Sequence, residues 1–443
     1  MTQLGELSLW IALLMAAWSA TLAVQGAYMR RDPLTASGAR GLYAALGFTA
    51  LAAAGLVSAF LGDDYSLRYV ALHSSENVET YYKLCAFWSG GPGELLLLSF
   101  MIAVVASGAA FVALRRDADR QRAAFTVGVL GFILAFALVA TGFEMNPFAP
   151  LARKLQDGRG LDPLLRHPLM LVQRPLMLLG AAGAAAPSAM AIAALMGRGF
   201  DRELVARIRA SALLSWTALS VALLLGARWA YVSPGLRALL EHSPAVIASA
   251  AVWLVLTLFL IIADLRDSSQ PPRSEVDVMR RRAARVLAVG GALLCIITFA
   301  ARPFTRNYDA QIGDGEKYSA KDSWGHDWTF TSQGASRLER EGDDVIAVAL
   351  MPTRDGARQK FISSESRQYY GPGGLDIYPP QAVPGIRSSV AQDLFVVLAD
   401  AGEGRSVLRI SFRPLVELVW AGSVLLALGG LLLFWPSRER FAA

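Results

Sequence analysis

Four histidines and two cysteines carry most of the side-chain chemistry that this chain of 443 residues could put to use. His73 stands in a polar, aromatic stretch, Tyr69 to Glu94 (YVALHSSENVETYYKLCAFWSGGPGE), which closes on the turn Trp88-Ser89-Gly90-Gly91-Pro92-Gly93. A lone loop imidazole is more often hydrogen-bonded or solvated than a metal ligand, and both readings apply to His73. His167 precedes Pro168 and His242 precedes Ser243-Pro244, where helix initiation accounts for the residues. Neither imidazole has a second histidine at helical spacing. His326 lies between tryptophans in WGHDW, where packing is the default. Cys85 and Cys295 form no CxxC pair, which excludes thioredoxin-like chemistry, and whether they pair with each other stays open. Cys295, inside an apolar run, reads as a small buried hydrophobe. No metal site and no catalytic constellation emerges from this inventory.

The elements that must position these groups are membrane helices. Hydrophobic residues make up 54% of the chain and the mean hydropathy is +0.40. The apolar residues come in runs, and about nine runs reach the length of a transmembrane helix. They are drawn at 7–28, 41–61, 95–114, 124–142, 170–196, 210–231, 245–263, 286–301 and 415–435. Pro187 should kink the fifth. The first has no preceding Lys or Arg and no small-residue cleavage site after it, so it reads as a retained span rather than a signal peptide.

The net charge of +6 might suggest nucleic acid, but the arginines explain it otherwise. They cluster in every second loop: Arg30, Arg31 and Arg40; Arg115, Arg116, Arg120 and Arg122; Arg198, Arg202, Arg207 and Arg209; then Arg266, Arg273 and Arg280-Arg281-Arg282; then Arg438 and Arg440. That is the positive-inside pattern. It places the N-terminus outside, the C-terminus inside, and loops 63–94, 143–168 and 232–243 outside. Nucleic acid is excluded as a partner; the bilayer is required.

Within the first outer loop, Val78, Tyr81, Tyr82, Cys85 and Trp88 share one helix face, which predicts an amphipathic helix lying flat on the membrane. The second outer loop is broken by Pro147, Pro150, Pro163 and Pro168, and reads as a connector or a shaped lid. Residues 302–413 alternate short apolar segments (DWTFTS, DDVIAVALM, QKFISS, QDLFVVLAD, SVLRISF) with Gly, Asp and Pro, the pattern of a small antiparallel β-domain. The expected fold is an all-α polytopic membrane protein, with helical residues 1–301, a small β-rich extracytoplasmic domain at 302–413, and a final helix and tail at 414–443.

Several of these stretches resemble one family. HSSENVETYYKLCAFWSGGPG resembles the outer-loop motif of the CcmF type of cytochrome c maturation haem lyases: a His-Ser pair, a Tyr-Lys, then a Trp-x-Gly-x-x-Gly turn opening the next helix. Here these are His73-Ser74, Tyr82-Lys83, and Trp88, Gly90 and Gly93. Asn146-Pro147-Phe148 and Gly160-Leu161-Asp162-Pro163-Leu164-Leu165 resemble the family's next loop. Tyr369-Tyr370, Asp393-Leu394-Phe395-Val396, Arg413-Pro414 and Trp420-Ala421-Gly422 resemble its C-terminal end.

The resemblance implies a bacterial inner-membrane protein that handles haem on its outer face and attaches it to apocytochrome c. It also implies histidine ligands, and here the pattern departs from the family's. The Trp-rich loop expected after Gly226 reads RWAYVSPGLRALLEHSPAVIAS; the His-Pro-Pro before the fifth span corresponds to Gln173-Arg174-Pro175; the intramembrane histidines correspond to Ile261 and Arg285. A further block of helices with another outer histidine has no counterpart. The expectation is therefore a scaffold or docking subunit of the haem-lyase machinery, with His73, Ser74, Tyr82, Lys83, Trp88, Gly90, Gly93, Asn146, Pro147, Phe148 and Pro163 forming its outer frame. Another cytochrome c maturation membrane protein would carry the Trp-rich haem platform, apocytochrome c would be the client, and haem would reach this chain through relocated ligands His167 or His242 if at all. Whether the chain is itself an enzyme stays open. A scaffold in another membrane complex, without a haem role, is the alternative. A transporter ranks last, because the drawn spans show few charges apart from Arg228.

Overall fold

The computed structural model describes residues 2–152, 155–197, 199–232, 244–268, 275–340, 343–370, 380–402 and 404–435. Among them, nine helical stretches are long and apolar enough to cross a membrane. The chain divides into two compact units: Met1–Leu225 with Ser243–Arg273 and Phe434–Ala443, and Gly226–His242 with Ser274–Leu433.

In the first unit, helices α1 (Thr2–Met29), α2 (Asp32–Leu61), α5 (Gly91–Arg116) and α6 (Arg120–Val139) pack around a core of Leu9, Ala12, Ala16, Leu42, Leu56, Leu96, Leu130 and Leu134. Small residues set that spacing: a Cβ added at Gly131 would sit 2.7 Å from the backbone nitrogen of Ala20. Close approach through small residues is how helices associate where lipid removes the hydrophobic drive. Asp119 caps α6, accepting from the amides of Gln121 and Arg122. Two short helices, α3 (Arg68–His73) and α4 (Thr80–Phe87), lie between α2 and α5. The fifth drawn span is two helices, α7 (Pro168–Gly183) and α8 (Ala185–Met196), broken at Ala184. Pro187 lacks the amide that would bond the Gly183 carbonyl, so the break falls one turn before it. α9 (Arg202–Val232) and α10 (Pro244–Ser268) follow.

The second unit holds α11 (Glu275–Ala300), α12 (Val416–Phe434) and the β-domain between them. One sheet orders its strands β1 (Arg306–Gly313), β10 (Arg405–Pro414), β9 (Gln392–Gly402), β8 (Gly385–Arg387). The other runs β2 (Lys317–Lys321), β3 (Asp327–Arg340), β4 (Asp343–Arg354), β6 (Ile362–Tyr369), β7 (Gln381–Val383), with β5 (Ala357–Arg358) on β4. All pairings are antiparallel. Phe330, Val348, Leu350, Leu394, Val396, Leu408, Ile410 and Phe412 fill the space between the sheets. The WGHDW turn is organised by Asp322, 2% exposed, which accepts from the amides of Trp324 and His326 and from the side chains of Trp328 and Gln392. Burial pushes its carboxyl up, but these donors outweigh it and hold it below the usual carboxylate range. His326 stands on the rim with its Nδ1 2.7 Å from Asp355.

Candidate functional site

The His-Ser to Gly-Gly-Pro-Gly stretch is built around Tyr69. Its hydroxyl accepts from the Gly90 amide at 3.0 Å, and its single proton faces the carbonyls of Phe87 at 3.0 Å and of Ala86 and Gly90 at 3.2 Å. The Ala86 carbonyl also accepts from Ser89 and the Gly90 carbonyl from the Glu94 amide, so the phenol completes the junction where α4 ends and α5 begins rather than satisfying it alone. Gly93 sits in the first turn of α5 with no room for a side chain: a Cβ there would overlap the Phe87 carbonyl oxygen and stand 2.7 Å from the Tyr69 hydroxyl. Gly90 is similarly required, since its Cβ would meet His73 Nε2 at 2.6 Å.

The face of α4 that the spacing assigns to the membrane packs against protein. Val78, Cys85, Ala86 and Phe87 are buried in the helical core and Tyr82 packs against it, while Tyr81 and Leu84 point away. The reason is Lys83, 7% exposed, which the sequence pattern does not place: its ammonium lies 2.6 Å from both carboxylate oxygens of Asp63, anchoring the helix inward. Tyr65 donates to the same carboxylate at 3.0 Å. Cys85 is a free thiol, as is Cys295, and burial pushes it up to about 11.

The second outer loop is hydrogen-bonded to the first. Arg68 donates its amide to Ala149 and Leu151 to Ser66, making a bridge between Leu67 and Pro150. Further along, the Arg159 amide donates to Ala71, the Gly160 amide to Ser74, and the Glu76 amide to Asp157. Gly160 has φ +91°, a conformation glycine adopts freely. Asn146 folds over its own chain, accepting from the Phe148 amide at 2.8 Å, and reaches Glu6 of α1 at 3.3 Å. Pro147 and Phe148 are buried, and Pro163 opens a single 3-10 turn, Pro163–Leu165. Ser74, Tyr82, Lys83, Trp88, Gly90, Gly93, Asn146, Pro147 and Phe148 therefore stand in one framework within the first unit, with Pro163 in the turn that follows.

Two ties bind that framework to α7. Trp88 donates its indole N–H to the Met170 carbonyl at 3.3 Å, and Arg174 pairs with Glu94 at 2.8 Å. Arg174 is 7% exposed and belongs to α7, Glu94 to the first turn of α5. Beside it Gln173, 1% exposed, touches Met177 Sδ at 3.7 Å. Reading the sequence for His positions alone overlooks this pair; a charge on each of two neighbouring apolar runs is the signal that finds it.

Neither His73 nor His167 offers haem iron an available nitrogen lone pair in this arrangement. His73 donates from Nδ1 to the Tyr69 carbonyl at 2.9 Å, which leaves the lone pair on Nε2, but Nε2 is packed against Gly90. Burial lowers its pKa, so it is neutral at pH 7. His167 caps α7, its Nδ1 accepting from the Leu169 amide at 3.2 Å. That role consumes the Nδ1 lone pair and puts the proton on Nε2. Burial lowers its pKa too. His242 lies outside the described residues. Ile261 and Arg285 are exposed positions on α10 and α11. Among the described residues no three His, Cys, Asp or Glu side chains gather closely enough to hold a metal ion.

The family model described as cytochrome C assembly protein matches residues 88–304. The chain is 33% identical over 262 residues to the cytochrome c-type biogenesis protein CcmF of Pseudomonas aeruginosa, and 32% identical over 200 residues to NrfE of Haemophilus influenzae. Over these stretches the chain is similar to the CcmF type of the cytochrome c assembly family. Those alignments cover 58% and 45% of this chain and 39% and 31% of the relatives, so the chain spans well under half the length of the curated relatives it matches. A solved structure named Cytochrome c Heme Lyase CcmF shares the fold at a TM-score of 0.73 and 16% identity, covering 98% of each chain. The helices and the β-domain before the last helix thus share the fold of that structure.

Proposed function

We propose that the chain acts in cytochrome c biogenesis as a framing and docking subunit of the haem-lyase machinery, in the bacterial inner membrane with its outer loops and β-domain on the periplasmic side. Another membrane protein of the machinery carries the haem platform, and apocytochrome c is the client. The cytochrome c biogenesis role is supported by the family and by the named relatives. The ligand-free reading is supported by one observation above the others. At the position where the resemblance implies an outer imidazole, this chain has a buried Gln173-Arg174 step whose guanidinium is committed to Glu94. A buried ion pair is a fixed structural element, because removing either partner strands the other.

Deleting the gene and staining membranes for covalently bound haem tests the pathway. Loss or strong reduction of c-type cytochromes, restored by the wild-type gene, is expected. Unchanged c-type cytochromes in the deletion strain would place the chain in another membrane complex.

A further inference from the structure

Several motif residues near the C-terminus have no part in the framework around Tyr69, yet they converge with the end of α9 inside the second unit. Tyr231, one residue before the end of α9, donates its hydroxyl to Asp393 Oδ2 at 2.8 Å. Its ring lies 5.8 Å from Trp420 and 5.9 Å from Phe395. Two guanidiniums flank it. Arg228 has its Cζ 5.6 Å from the Tyr231 ring centre and 5.3 Å from that of Trp420; Arg413 stands 5.3 Å from Tyr231 and 4.0 Å from Phe395. The carboxylates facing the cluster are the buried Asp393 and, from the first turn of α12, Glu417.

Neither arginine forms an ion pair with a described carboxylate, although Arg413 and Asp393 are direct cross-strand partners. Asp393 is turned to Tyr231 instead. Arg228 Nη1 and Trp420 Nε1 are both buried, and neither finds an acceptor among the described residues. A guanidinium inside a membrane-spanning helix is costly unless it is compensated. Ring faces offset part of that cost, but they accept no conventional hydrogen bond. A buried indole N–H likewise normally finds an acceptor. One multi-oxygen anion satisfies Arg228 and the indole, with Arg413, which also hydrogen-bonds Tyr231, adding its charge, and a phosphate matches the guanidinium fork.

The height of the cluster decides the source of that phosphate. Arg228 is about one turn from the end of α9, Arg413 lies in the last residues of β10 just before α12, and Trp420 is about one turn inside α12. Span ends are where tryptophan is enriched and where lipid headgroups lie. We propose that Arg228, Arg413 and Trp420 bind the phosphate of an anionic phospholipid, fixing the outer end of α9 to the start of α12 and the adjoining strand β10.

The test is native mass spectrometry of the full chain purified in detergent, washed free of lipid and titrated with phosphatidylglycerol. One phosphatidylglycerol should remain bound per wild-type chain, and phosphatidylcholine should be held less well. Apparent affinity should fall about tenfold or more in the Arg228→Gln/Arg413→Gln double variant, from loss of charged hydrogen bonds. Trp420→Phe, which keeps a ring and removes the donor, should lower it less. Circular dichroism and a monodisperse elution profile check that each variant is folded. Arg228→Lys, which keeps charge and loses the fork, gives a second reading if the glutamine variant does not fold. Phosphatidylglycerol held equally by wild type and variants would overturn the proposal. So would inorganic phosphate displacing the lipid at equal concentration, which would mean a soluble anion is the true occupant.

Discussion

Replacing Gly93 by alanine is expected to abolish folded protein. The added Cβ would coincide with the Phe87 carbonyl oxygen and press on the Tyr69 hydroxyl. Both obstacles are held: the first is backbone, and the second is pinned by the Gly90 amide. Relief requires pulling α5 away from α4, which breaks the bonds that end one helix and start the other. A cost above about 4 kcal/mol belongs to the exceptional tail of single substitutions, and it is comparable with the whole stability of many domains, about 5–15 kcal/mol. Gly108, on the same helix, has nothing within 4 Å of its would-be Cβ. Gly108→Ala should therefore be neutral or stabilising by up to about 1 kcal/mol. The measurement is the yield of monodisperse protein in detergent after a thermal challenge. Equal yields for the two alanine variants would remove Tyr69 from the centre of the framework.

The second large effect concerns Arg174 and Glu94. Arg174→Ala leaves a carboxylate with 16% of its surface exposed at the start of α5; Glu94→Ala strands a guanidinium with 9%. Breaking a buried pair from one side costs about 3–5 kcal/mol, whereas replacing both partners with apolar residues of similar volume is often neutral. Arg174→Ala and Glu94→Ala should each lower the thermal midpoint sharply, and Arg174→Met/Glu94→Leu should recover most of the loss. Single variants as stable as the wild type would show that the pair does not hold α7 to α5.

How much of this was legible in the sequence follows from which signals are local. The spans are, because apolar runs of that length have few other uses, and the strands are, because Asp393–Leu398 and Ser406–Phe412 alternate or run apolar between turn residues. The break at Ala184 is half legible: Pro187 announces a defect, but its position depends on which carbonyl is left without a donor. α4 misleads, since a stripe of Val78, Tyr82 and Cys85 looks the same whether it faces lipid or protein. Only the long-range pairing of Lys83 with Asp63 decides between them. Tyr69 gives no local sign at all, because its role is to satisfy backbone groups about twenty residues away. His167 is more legible, since His-Pro already reads as a helix start; there its Nδ1 accepts from the Leu169 amide.

The central claim is that this chain frames a haem-handling site without ligating haem itself. Absorbance of the full chain, purified from membranes of a haem-replete host and compared with its protein concentration, tests it most directly. The account predicts haem far below one per chain, with no change in His73→Ala or His167→Ala. A reduced b-type spectrum at one haem per chain, lost in either variant, would contradict it.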